Sequence, residues 1–125
     1  MLKIGLDFHG VIDKYPEKFS ALTVKMINQG MEVHIITGHE DTSAFRKKLN
    51  EMGIFYTHLF SIVSYHKFIG TEMKYDKKGN PWISPEAWDR TKANYCEIEK
   101  IDLIIDDSDV YGKYFESIKT IYLKF

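Results

Sequence analysis

The chain has 125 residues, 44% of them hydrophobic and 14% aromatic, which is enough for one core and too little for two, so a single domain over 1–125 is expected. With 17 basic and 18 acidic side chains the formal net charge is −1, so nucleic acid is not indicated by net charge, nor is an anionic membrane. No apolar stretch approaches the roughly 18 residues of a membrane span, the first residues read as a strand and lack the basic and apolar pattern of a leader, and the lone Cys96 has no partner for an internal disulfide; a cytoplasmic protein with an ordinary packed thiol is expected.

In chain order, "LKIGLDF" is too short for an ordinary helix and rich in strand formers, so it predicts a strand. In "YPEKFSALTVKMINQG", Phe19, Leu22, Met26 and Ile27 recur at helical spacing, with Pro16 suited to the first position and Gly30 to the exit. "MEVHIIT" predicts the second strand. A helix follows, capped by Thr42 or Asp41, carrying Phe45, Leu49 and Met52 on one face and ending at Gly53. "YTHLFS" predicts a third strand. Residues 61–84 break the alternation: "SIVSYHKFIG" suits a short helix and "EMKYDKKGNPWIS" a small hairpin turning at Lys78, Gly79 and Asn80. "SPEAWDRTKANYCEIEK" predicts a helix capped by Ser84, with Pro85 first and Trp88, Tyr95 and Ile98 facing inward. "IDLIID", a short helix near "SDVYGKYFES" and "KTIYLKF" complete the chain. The alternation implies an α/β fold, a three-layer sandwich around a mostly parallel sheet.

In open α/β sheets ligands bind beyond the carboxyl ends of the strands. Here those ends carry Asp7 with Phe8 and His9, then Thr37, Gly38 and His39, then Asp106, Asp107, Ser108 and Asp109. Carboxylates gathered from neighbouring strands are costly unless a cation neutralises them, and Mg2+, a hard ion taking carboxylate, water and phosphate oxygens, is the natural candidate. The Thr37 hydroxyl and the Gly38 N–H can supply donors to a phosphate, and Lys92, fourteen residues before Asp106, can supply compensating charge.

The order of an apolar strand ending in Asp7 and followed by "GVID", a strand ending in Thr37-Gly38, the helix lysine Lys92, and "DLIIDDSD" resembles the haloacid dehalogenase superfamily of phosphohydrolases over nearly the whole chain. The resemblance implies sheet order 3-2-1-4-5 and makes Asp7 the nucleophile that forms an aspartyl-phosphate. It implies Thr37, Gly38 and Lys92 as phosphate-binding groups. It implies Mg2+ held by Asp7, the His9 backbone carbonyl, Asp106 and Asp107. The family pattern carries a second aspartate where this chain has His9, so the acid/base role falls on an imidazole, whose unperturbed pKa near ~6.5 suits it to hold or release a proton. The expected function is a Mg2+-dependent phosphomonoester hydrolase. The alternative is a catalytically impaired phosphate- or nucleotide-binding module on the same scaffold. A receiver-like phosphoacceptor domain fits poorly, because its acid pair follows the first strand.

Only about six residues separate Gly10 from Pro16, leaving no room for an early cap, and 61–84 is a minimal later one. An open site is expected, taking a phosphorylated substrate such as a nucleotide, a nucleic-acid end or a phosphoprotein unless a second subunit of a homo-oligomer covers it. Other residues have plainer expectations. His39 is a surface imidazole or touches substrate, His34 is a satisfied core histidine, Asp109 caps the following helix, and Asp13 sits in the loop after the first strand. Trp82 and Trp88 pack the hairpin. Arg46, Lys47 and Lys48 form a solvated helix face able to guide an anion.

Overall fold

Side-chain alternation along short strands builds the centre of the molecule. The computed structural model, which describes residues 1–125, runs β1 (Lys3–Leu6), α1 (Pro16–Asn28), β2 (Glu32–Thr37), α2 (Ser43–Glu51), β3 (His58–Ser61), α3 (Ile62–Phe68), β4 (Lys74–Tyr75), β5 (Pro81–Trp82), α4 (Pro85–Glu99), β6 (Leu103–Asp106), a 3-10 turn over Tyr111–Phe115, and β7 (Ile121–Lys124). Five strands form one parallel sheet in the order β3-β2-β1-β6-β7, which is 3-2-1-4-5 counted within that sheet, and β4 and β5 form a separate antiparallel hairpin. Helices flank both faces, as the α/β reading expects.

Each face has its own core. Leu6, Val33 and Ile35 point to one side and pack with Phe19 of α1 and with Phe45 and Leu49 of α2. Ile36 and Ile104 point to the other and pack with Ala93 and Cys96 of α4 and with Phe115. Gly5 lies between them in β1, where an added Cβ would sit 2.7 Å from Ile36 Cδ1, so the bare backbone lets these isoleucines close over it. Cys96 is fully buried, as an ordinary packed thiol should be.

Local signals mark the boundaries. Thr42 accepts the Phe45 N–H, Ser61 that of Ser64 and Ser84 that of Ala87, each closing an orphan donor at a helix start. The hairpin turns around the Asp76 carboxylate, which accepts the N–H groups of Lys78 and Asn80. No helix is long and apolar enough to cross a membrane.

Three expectations fail. Ile98 is 75% exposed, and the inward face of α4 is Thr91, Lys92, Ala93 and Cys96; Ile98 lies about 200° round the helix from Cys96. Leu22 is likewise exposed on α1, and Thr23 takes the buried position, donating to the Ser20 carbonyl at 3.0 Å and accepting the Phe55 N–H at 3.2 Å. Asp109 caps nothing: it pairs with Lys124, and the Ser108 hydroxyl accepts the N–H groups of Val110 and Tyr111 instead.

Candidate active site

The parallel register sets Leu6 beside Ile105, so the next residues of the two strands, Asp7 and Asp106, emerge side by side at the carboxyl edge of the sheet. The Asp7 N–H extends the ladder by donating to the Ile105 carbonyl at 2.9 Å. Lys92 reaches them from α4, where it is only 2% exposed, and its Nζ donates to Asp7 Oδ1 at 2.9 Å and to Asp106 Oδ2 at 2.7 Å. A buried lysine is stable only with such partners. Burial would lower its pKa, but the two carboxylates outweigh burial and hold the ammonium above its ordinary value.

The two acids differ in what remains free. Asp106 is fully buried and both its oxygens are engaged, Oδ2 by Lys92 and Oδ1 by the Ser108 N–H at 3.0 Å. Asp7 Oδ1 accepts from Lys92 and from the Phe8 N–H, whereas Oδ2 has no protein donor. Since no buried side-chain oxygen lacks a partner, Oδ2 is open to the cleft. Burial is the largest influence on Asp7 and raises its pKa; Lys92 opposes the rise and Asp106 adds to it, leaving the carboxyl at about 7. Asp107, exposed at the rim, completes a trio whose ligand oxygens all lie within 4.8 Å of one another. Three carboxylates around one ammonium leave surplus negative charge when ionised. That all-oxygen donor set suits a hard divalent cation.

The loop after Asp7 brings Asp107 close. Phe8–Ile12 makes a wide turn closed by the Asp13 N–H donating to the Phe8 carbonyl at 3.1 Å, and Gly10 within it has φ +82°. A Cβ on Gly10 would collide with the Asp107 carboxylate, so glycine is required here both by dihedral and by space. Gly38 plays a similar part across the cleft, where a Cβ would lie 2.8 Å from Cζ2 of Trp88.

No family model matches the chain, and no curated protein or solved structure matches it. The cleft has a volume of about 560 Å³ and brings together Asp7, Thr37, Gly38, Lys92 and Asp107 with His9 at its mouth. Asp106 lies beneath the lining, reaching it through Lys92. Thr37 is buried, and its hydroxyl oxygen accepts the His39 N–H at 3.1 Å, which leaves the hydroxyl proton free to donate.

His9 does not turn inward toward Asp7. Its side chain is 91% exposed and its Nδ1 lies 3.0 Å from Oδ2 of Asp13, whose Oδ1 accepts the Gly10 N–H at 2.7 Å. A carboxylate only accepts, so Nδ1 carries a proton, and Nε2 is the nitrogen left to release or take up another. Asp13 thus has a larger part than a loop residue: it fixes both the turn and the imidazole.

Three further groups line the cleft. Lys48 Nζ lies 5.3 Å from the Phe8 ring centroid, so this member of the basic run faces the site, while Arg46 is bound by Asp41 and Lys47 faces Glu51. Its position three residues after buried Phe45 was the available signal. Tyr111 stands with its ring 5.1 Å from Lys92 Nζ and accepts the Trp88 Nε1–H at 2.9 Å, and nothing in the local sequence marks this pair. Trp88 is thus a cleft wall as well as a support for the hairpin, whereas Trp82 is exposed on β5. His39 borders the cleft but stacks on Phe45 at 4.2 Å and turns Nδ1 to the Glu40 carbonyl.

Proposed function

We propose that this chain is a Mg2+-dependent phosphomonoester hydrolase of the haloacid dehalogenase type, acting through an aspartyl-phosphate on Asp7. The observation that carries this is the asymmetric anchoring of Asp7: Lys92 and the Phe8 N–H hold Oδ1, leaving Oδ2 alone to face the cleft. Asp7 Oδ2 attacks phosphorus in line, the P–O bond to the alcohol breaks, and the departing oxygen takes the Nε2 proton of a protonated His9 ring, which becomes neutral. Water then attacks the acyl phosphate while His9 removes its proton, returning Asp7 and free phosphate. Thr37, Gly38 and Lys92 offer donors to the phosphoryl oxygens. Asp7, the His9 carbonyl, Asp106 and Asp107 would hold Mg2+, which when bound neutralises charge on the phosphoryl group. Lys48 adds positive charge at the rim, and the open cleft admits a bulky phosphorylated substrate such as a nucleotide or a nucleic-acid end.

A second reading has its own observation. The exposed His9 ring is tied to Asp13, which favours a module that binds phosphate or nucleotide with little turnover. A phosphatase screen with Mg2+ over nucleotides, sugar phosphates and 3′- or 5′-phosphorylated oligonucleotides separates the two. Hydrolysis lost in Asp7→Asn supports the enzyme; activity retained in that variant overturns Asp7 as nucleophile; ligand binding without hydrolysis supports the module.

A further inference from the structure

At the opposite end of β2 from Thr37, a second cluster of ligating groups has no part in this chemistry. Glu32 and His34 are two apart on one strand and so share a face, and His58 is the register partner of His34 on β3. The sheet thereby fixes three ligating side chains in a triangle on two adjacent strands. His34 and His58 stack with centroids 4.1 Å apart and planes at 6°. Oε1 of Glu32 lies 2.9 Å from His34 Nε2 and 3.9 Å from His58 Nδ1. Ligand atoms on a tetrahedral zinc ion are separated by about 3.3 Å, a spacing these two distances bracket; because zinc lies in the plane of each ring it binds, the half-exposed His58 ring must turn out of the parallel stack to reach it.

We propose that Glu32, His34 and His58 form a zinc-binding site, two imidazoles and one carboxylate, with the fourth position open to water. Imidazole nitrogen with a single carboxylate selects a borderline transition ion over magnesium, in contrast to the all-oxygen cleft. The surroundings suit a ligating imidazole. His34 is wholly buried, and its Nδ1 lies 2.6 Å from the Tyr95 hydroxyl. Without metal, the Glu32 carboxylate requires the proton on His34 Nε2, and Tyr95 donates to Nδ1. With zinc on Nε2 the proton moves to Nδ1 and the same hydroxyl rotates to accept it. A ring N–H donated to a fixed acceptor is the usual support of a metal-bound histidine. Access is from solvent, since the His58 and Glu32 side chains are 49% and 31% exposed. The ion displaces the Thr57 hydroxyl from His58 Nδ1 and the Lys3 ammonium 3.9 Å from Glu32. The edge strand β3 would then be tied to β2 by metal as well as by its ladder.

The test is calorimetric titration of the full chain with Zn2+ in excess Mg2+, which occupies the oxygen site, together with the ring-nitrogen NMR signals of His34 and His58. One Zn2+ per chain is expected, shifting both rings. His58→Ala and Glu32→Gln, at partly exposed positions, should each weaken binding roughly tenfold or more, and Asp7→Asn should leave it unchanged. No uptake by the wild type, affinity unchanged in His58→Ala, or affinity lost in Asp7→Asn overturns the site.

Discussion

The two ends of the parallel sheet gather charge in opposite ways. At the carboxyl ends, Asp7 and Asp106 are buried around a lysine that is itself buried, so each charge depends on the others. At the amino ends, Glu32 and His58 stay in contact with water and only His34 is enclosed. The first arrangement is expensive to disturb and poised for a ligand that brings positive charge; the second tolerates the loss of an outer member.

Substitutions inside the buried cluster should have the largest effects. Asp7→Asn is expected to abolish hydrolysis, a loss on the order of a thousandfold or more in kcat with folding retained, measured on the best ester from the screen. Lys92→Ala strands two carboxylates and should cost about 3–5 kcal/mol in urea unfolding, whereas His58→Ala should cost less than about 1 kcal/mol.

The pH response of the same cluster sharpens the contrast. In the folded chain the Asp7 carboxyl stands at about 7, above the ordinary value of 3.8 for an aspartate. A carboxyl whose pKa is raised by folding binds more protons folded than unfolded between those limits. The metal-free protein should therefore lose stability as pH rises from about 4 to about 7, by roughly 2–4 kcal/mol from this group. Asp7→Asn should flatten that slope, and so should Mg2+, which favours the ionised form. Unfolding curves across this range, with and without Mg2+, check both.

Smaller effects test the loop. Gly10→Ala places a side chain at φ +82° and against Asp107, so it should cost about 1 kcal/mol and raise the Mg2+ concentration needed for activity. His9→Asp should retain or raise hydrolysis; a folded variant with none, on an ester the wild type cleaves, argues against the acid/base assignment.

The sheet was legible because its strands are short apolar runs separated by well-marked helix starts, and Asp7, Thr37 and Asp106 were legible because a parallel sheet delivers its strand ends to one edge. The inner face of α4 was misread for a physical reason. Lys92 and Thr91 face inward to serve polar partners, so hydropathy pointed to Ile98 in their place. Lys48 was marked only by its place three residues after Phe45, while Tyr111 and the Asp13–His9 pair depend on how helices and loops pack across the cleft, which no local spacing encodes. The His34–His58 stack was hidden likewise: the two are distant in sequence and adjacent only through the β2–β3 register.

The proposed reaction stands or falls on Asp7 Oδ2 as the nucleophile. Crystals grown with Mg2+ and beryllium fluoride test it directly, since that complex mimics a phosphoryl group on a carboxylate. Density for an adduct on Asp7 Oδ2, absent in Asp7→Asn, is the expected result. Wild-type crystals with the cation bound and no adduct on Asp7, or an adduct on another residue, would contradict it.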